Sequence, residues 1–135
     1  MDRCYIDGIR GKTTATADAI AVLIDSAGQL GTVSSSQRYK NNIMSMSDTI
    51  VDAVYRLNPV NFTYKSDETL RNQYGLIAEE VAEIIPDIVV YKDGLPETIQ
   101  YHLLPSMLIK VIKSQKALID DLYDKFNKLA SAMSS

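Results

Sequence analysis

A heptad repeat near the C-terminus constrains the fold of this chain more than any other feature. Its apolar positions are spaced by alternating steps of four and three, with one polar member: Leu108, Ile112, Gln115, Ile119, Leu122, Phe126, Leu129 and Met133. This rhythm is typical of a coiled coil, in which a polar core residue fixes register or strand number and lowers stability. We therefore predict one long helix over residues 103–133, with Pro105 in its first turn, where no amide donor is required.

Two interpretations of this helix compete. The heptads favour self-association, whereas an amphipathic helix packed on its own domain would explain why the apolar stripe is widened by Leu104, Met107, Val111 and Leu118. Isoleucine at a-type positions with leucine at d-type positions favours a dimer on general rules, but so few layers make that preference weak.

Residues 34–102 are predicted to form a small α+β unit. Ser45-x-x-Asp48 resembles a capping box ahead of a helix that ends at Asn58-Pro59. Pro86 stops a later short helix, and Pro96 places its strand near a sheet edge. The remaining predicted elements are strands Val60–Lys65 and Gln73–Ala78, helix Glu79–Ile85, and a hairpin of Ile88–Tyr91 with Thr98–Tyr101 around Asp93-Gly94.

Residues 1–33 are predicted to be β-structure with many turns. The apolar run over residues 19–24 precedes a turn signal at residues 25–28, after which an extended pattern resumes. Such a segment is too short to bury a core alone. It must pair with chain further upstream or with copies of itself.

Composition excludes several classes of function. The net charge of −3 over 135 residues argues against a broad nucleic-acid-binding surface, and no stretch approaches the ~20 apolar residues of a membrane span. The N-terminus has no apolar signal core, so the chain is expected in the cytosol or as a fragment of something longer. Its one cysteine, Cys4, excludes an internal disulfide and a cysteine-rich zinc site. No cofactor or metal is expected, and the one histidine, His102, is expected to cap or pack.

A run of three serines, Ser34 to Ser36, precedes Lys40 and places a nucleophile close in sequence to a plausible base. A serine hydroxyl needs a base, and lysine can serve only when desolvation or nearby positive charge lowers its pKa. Arg38 lies two residues from Lys40. On pattern alone, a solvated linker leading into the first helix is the favoured interpretation of the run.

Three sequence blocks resemble the intramolecular chaperone auto-processing domain, also called the peptidase S74 or endosialidase chaperone domain. The first runs from Ser35 to Ile43 and agrees with the family pattern at Ser35, Arg38, Lys40, Asn42 and Ile43. The second is Tyr74 to Val81 with Ile85-Pro86 and Val89-Val90. The third is Tyr101, Leu104 and the long helix.

The resemblance implies that residues 35–135 are a C-terminal homotrimeric chaperone and residues 1–34 the end of a β-rich stalk. In such domains of bacteriophage tailspikes and tail fibres, the chaperone registers three stalk chains and then releases itself. Carried over by position, Ser35 is the nucleophile, Lys40 its general base, and the cut bond Ser34–Ser35.

The resemblance also implies supporting residues and a setting. Asn41, Asn42 or backbone amides are candidate oxyanion donors. Glu79 and Glu80 could orient Lys40 or pair with Arg38, or could simply favour a helix N-terminus. The partners would be two further copies and the upstream stalk of the same polypeptide, within a phage virion component assembled in the host cytoplasm. Two alternatives remain: a non-cleaving trimerisation module, and an unrelated coiled-coil adaptor that binds a partner helix.

Overall fold

The computed structural model describes residues 3–134 and divides the chain into two compact units, Met1–Ile43 and Met44–Ser135. Its fold is α+β, with small antiparallel hairpins and a long C-terminal helix, as the sequence predicted. The predicted boundary at residues 34 and 35 lies inside the first unit. That boundary refers to a cut bond, so it stays a prediction.

The first unit contains one short hairpin and no buried core among its described residues. Strand β1 (Leu23–Ile24) pairs antiparallel with β2 (Leu30–Gly31). The Asp25 carboxylate closes the predicted turn by accepting from the amides of Ala27 and Gln29, each at 2.9 Å. Gly28 has a φ of 85°, which glycine adopts without strain. Apart from half-buried Leu23, the described side chains here are exposed, so this unit has no apolar interior of its own.

The second unit begins with α1 (Thr49–Arg56), which ends before Pro59 as predicted. The predicted capping box is wrong, because Asp48 is itself helical at a φ of −64° and makes no side-chain cap. The Ser47 hydroxyl instead accepts from the Thr49 amide at 3.3 Å. Ser47, one residue before the cap position, therefore makes the kind of hydrogen bond that was expected of Ser45.

Two hairpins and a second helix complete the α+β part. Strand β3 (Val60–Phe62) pairs with β4 (Gln73–Gly75), α2 spans Ala78–Ile84, and β5 (Val89–Lys92) pairs with β6 (Leu95–Ile99). The first hairpin is shorter than predicted. The Asp67 amide donates to the Tyr64 carbonyl, and the Asp67 carboxylate then accepts from the Thr69 and Arg71 amides. Strand pairing therefore stops at Phe62.

The core of this unit lies between α2, the second hairpin and the start of the long helix. Its buried members are Ala53, Val81, Ile85, Ile88, Val89 and Ile99, with Leu104 and Met107 packed against them. Val81 and Ile88 are each only 1% exposed. The buried face of α2 is therefore fixed by apolar packing.

The long helix α3 (Leu104–Met133) has the predicted span, and its two parts have different surroundings. Near its start it packs on α1: Val111 is buried, and the Lys110 ammonium lies 2.7 Å from the Asp48 carboxylate. Gln115, the polar heptad residue, donates to the Tyr55 hydroxyl at 3.1 Å. Residues 116–134 are exposed, including the apolar heptad positions. Thus α3 packs on its own unit first and then presents an uncovered stripe.

Neither α3 nor any other helix of the described residues is long and apolar enough to cross a membrane.

Candidate functional site

A single turn of 3₁₀ helix brings the predicted nucleophile and base together. Residues Gln37–Tyr39 form this turn, closed by the Tyr39 amide donating to the Ser36 carbonyl and the Lys40 amide to the Gln37 carbonyl. The turn shortens the path between the ends of the motif. As a result, the Lys40 Nζ donates to the Ser35 Oγ at 3.0 Å. This distance permits proton transfer between the two atoms.

The surroundings of this pair are open. Ser35 and Lys40 are exposed, as are the neighbouring Ser34 and Ser36. The Arg38 guanidinium lies 5.1 Å from the centroid of the Tyr39 ring, a cation–π distance. The described part of the first unit therefore supplies the geometry of a serine–lysine pair without covering it.

Asn42 adopts a left-handed backbone conformation, with a φ of 52°. Asparagine tolerates this region better than other residues with a side chain. The conformation gives a reason for asparagine at this position that does not involve an oxyanion contact. The predicted oxyanion role of Asn41 or Asn42 stays a prediction.

Glu79 and Glu80 lie in the first turn of α2, where the helix dipole favours acidic side chains. Both are exposed, and the Glu80 carboxylate accepts from the Asn58 side-chain amide at 3.4 Å. Lys40 and Arg38 belong to the other unit. The predicted pairing of these acids with Lys40 or Arg38 therefore stays a prediction.

Tyr101 joins the second and third sequence blocks. It lies in a 3₁₀ turn at Tyr101–Leu103, where a strand end was predicted. Its hydroxyl accepts from the Leu76 amide at 3.0 Å and donates to the Leu76 carbonyl at 3.3 Å. A Cβ on Gly75 would approach that hydroxyl to 2.8 Å. Position 75 therefore requires glycine, because the Tyr101 hydroxyl lies against the backbone there. We call this contact of Tyr101 with the Gly75–Leu76 backbone the Tyr101 clamp. The two sequence blocks did not predict it.

An open apolar groove of about 410 Å³ lies in the second unit. It was not predicted from the sequence. It runs between α1, the first hairpin and the start of α3. Its apolar walls include Val54, Leu57, Val60, Leu76, Leu104 and Leu108. These side chains belong to different elements, so no local sequence pattern could have placed them together.

His102 and Cys4 are exposed. Among the described residues, no group of three His, Cys, Asp or Glu side chains could hold a metal ion.

Comparison with known families bears directly on the serine–lysine pair. Residues 35–90 match the model of the peptidase S74 family, described as chaperone of endosialidase. This segment of the chain is therefore similar to a peptidase S74 domain. No curated protein matches the chain.

The segment that matches the chaperone of endosialidase model begins at Ser35 and ends in β5. It therefore contains Lys40, α1, the first hairpin and α2, and it leaves α3 outside. This match supports a chaperone role and is consistent with self-cleavage.

Proposed function

We propose that this chain is an intramolecular chaperone that assembles a fibre stalk as a homotrimer and then releases itself by cutting the Ser34–Ser35 bond. The observation that carries the proposal is the 3.0 Å contact between Ser35 Oγ and Lys40 Nζ at the first residue of the family match. Residues 1–34 would stay with the stalk of a phage fibre or tailspike. Residues 35–135 would be released and would be missing from the mature particle.

The chemistry is an acyl shift followed by hydrolysis. Neutral Lys40 takes the proton of the Ser35 hydroxyl, and the Oγ attacks the carbonyl carbon of Ser34. The carbon–nitrogen bond breaks, and the Ser35 nitrogen takes up the proton to become an amine. Water then hydrolyses the resulting ester, which frees the Ser34 carboxylate and restores the Ser35 hydroxyl. Atoms and protons balance without a cofactor.

Assembly would supply the burial that the exposed Ser35–Lys40 pair lacks. A lysine acts as a base at neutral pH when burial or nearby positive charge disfavours its charged form. Ser35 and Lys40 are exposed in the single chain, so burial has to come from further copies. Cutting would then follow trimerisation, the order that a chaperone requires.

Two features support assembly through both ends of the chain. Apolar heptad side chains of α3 are largely uncovered, for example Ile119 at 63% and Phe126 at 67% exposed. The first unit likewise exposes Ile20, Val22 and Ile24 and has no buried described residue. Burying such side chains is the main driving force for association.

Serine variants test the nucleophile. Ser35→Ala should leave a single full-length band on a denaturing gel and still sediment as a trimer. Ser34→Ala and Ser36→Ala are matched controls in the same run and should still be cut. Normal cutting of Ser35→Ala would reject Ser35 as the nucleophile. If none of the three variants is cut, cleavage requires the serine run as a whole.

Lysine variants separate a base from a positive charge. Lys40→Arg keeps a charged donor near Ser35, but a guanidinium stays protonated and cannot act as the base. Both Lys40→Arg and Lys40→Met should therefore abolish cutting while the trimer persists. If Lys40→Arg is cut like the wild type, Lys40 serves by its charge and another base must be sought.

A non-cleaving trimerisation module is the second candidate, favoured by the exposure of Ser35 and Lys40 in the single chain. It would register and join fibre chains without releasing itself. A wild-type trimer that shows only the full-length band after folding supports this candidate.

A further inference from the structure

The apolar groove and the heptad stripe are parts of one continuous surface. Leu104 and Leu108, from the start of α3, line the groove together with Val54 and Leu57 of α1. Leu108, 47% exposed, is also the first position of the heptad repeat that continues into the uncovered stripe. A partner helix that follows the heptad repeat from its first position therefore also reaches the groove.

The heptad register shows which residues of α3 lie at the e and g positions, on either side of the a and d positions. With Leu108 at a d position and Ile112 at an a position, Leu104 falls at g and Ile109 at e. Leu104 packs against its own core, whereas Ile109 is 59% exposed on the opposite flank. In parallel coiled coils, the g residue of one helix faces the e residue five positions later in the neighbouring helix. Leu104 and Ile109 are separated by that interval.

We propose that the groove of each chain receives Ile109 of a second copy, so that the folded units interlock around the helical seam. This inference rests on the self-association proposed above and specifies its contact. The packing is parallel and cyclic: the Ile109 flank of each chain enters the Leu104 groove of the next. An antiparallel pair would bring Ile109 to the far end of its neighbour, away from this groove.

The same flank pairing recurs two heptads later. Leu118 lies at g and Tyr123 at e, and they are 59% and 65% exposed. Charged side chains are usual at e and g positions of two-stranded coils, where these flanks stay near solvent. Apolar side chains at two g–e levels are better buried when each helix meets two neighbours. The flanks therefore favour three helices, whereas the a and d positions alone only weakly favour two.

A second copy fits the groove better than a small ligand or an unrelated peptide. The walls are almost wholly aliphatic or aromatic, and they present few polar groups that could orient a ligand. An identical chain brings a branched aliphatic side chain to the required level by symmetry alone. No additional recognition element is needed.

Disulfide trapping in the full chain tests the contact. In a Cys4→Ser, Ser35→Ala background, Leu104→Cys chains are mixed and refolded with Ile109→Cys chains and then oxidised. Within one helix these positions are about 7.5 Å apart along the axis, beyond the reach of a disulfide, so any bond joins two chains. We expect a covalent dimer from the mixture and none from either variant alone. Lys113→Cys mixed with Leu104→Cys is the control and should not crosslink, because Lys113 lies on the outer b position.

A charge at the contact tests it without touching the core. Ile109→Asp should sediment as monomer at concentrations where Lys113→Asp, an exposed change on the outer face, remains a trimer. A trimeric Ile109→Asp together with absent crosslinks would overturn the groove contact while leaving trimerisation intact. A parent chain that stays monomeric at every concentration would reject the proposed assembly, and the groove contact with it.

Discussion

The clamp between Tyr101 and the Gly75–Leu76 backbone gives a sharp thermodynamic test of the structure. Tyr101→Phe removes the hydroxyl that serves both the amide and the carbonyl of Leu76. Leaving a partly buried amide without a partner costs about 1–2 kcal/mol in the free energy of unfolding. Gly75→Ala should cost a similar ~1–2 kcal/mol, because the new Cβ would lie 2.8 Å from that hydroxyl and would displace it.

The double variant measures the coupling free energy between positions 75 and 101. Without the hydroxyl, the nearest atoms to the alanine Cβ are Phe62 Cε1 at 3.4 Å and Tyr101 Cζ at 3.7 Å, which are ordinary contacts. The Gly75→Ala, Tyr101→Phe chain should therefore lose about as much as Tyr101→Phe alone, a coupling of about 1–2 kcal/mol. Urea unfolding followed by circular dichroism measures this in the Ser35→Ala background at one fixed protein concentration. Strictly additive losses would refute the clamp.

Three further outcomes are expected. Val81→Ala should lower the free energy of unfolding by about 2 kcal/mol because Val81 is 1% exposed in the core, whereas Val90→Ala, at a position of β5 that is 38% exposed, should lower it less; both are measured by urea unfolding. The Lys110 ammonium holds the pKa of the Asp48 carboxyl below its ordinary 3.8, so this pair stabilises the fold above about pH 4 and is lost on acidification. Stability measured from pH 5 to pH 2 should accordingly fall less steeply in Asp48→Asn than in the parent chain. Finally, Asn42→Gly should still be cut on a denaturing gel and Asn42→Ala should be cut more slowly, since φ is positive there; loss of cutting in both would favour an amide role instead.

Patterns that repeat along the chain predicted most of the fold. Heptad spacing located α3, proline signals located the ends of α1 and α2, and glycine-containing turn signals located the turns of the β1–β2 and β5–β6 hairpins. The errors were local. Ser45 was expected to cap α1 because the spacing fitted, but Ser47 makes the hydrogen bond. The first hairpin is short because Asp67 organises a turn that begins at Tyr64. Competing side-chain hydrogen bonds of this kind leave little periodic signal.

The candidate site was accessible from sequence only in part. The five-residue spacing of Ser35 and Lys40 is visible in the sequence. The 3₁₀ turn between them brings their side-chain atoms to 3.0 Å. The groove and the Tyr101 clamp join residues far apart in the chain. Such contacts depend on how α1, the first hairpin and α3 pack together, which no single segment encodes.

The fate of the Ser34–Ser35 bond is the most direct measurement of self-release. Wild-type protein, purified under conditions that trap all fragments, should give by intact-mass and N-terminal analysis a fragment that starts at Ser35 and runs to the C-terminus. The Ser35→Ala chain, prepared in parallel, should give only the full-length mass. A wild-type trimer of uncut chains, or a new terminus at any other residue, would contradict cleavage by the Ser35–Lys40 pair.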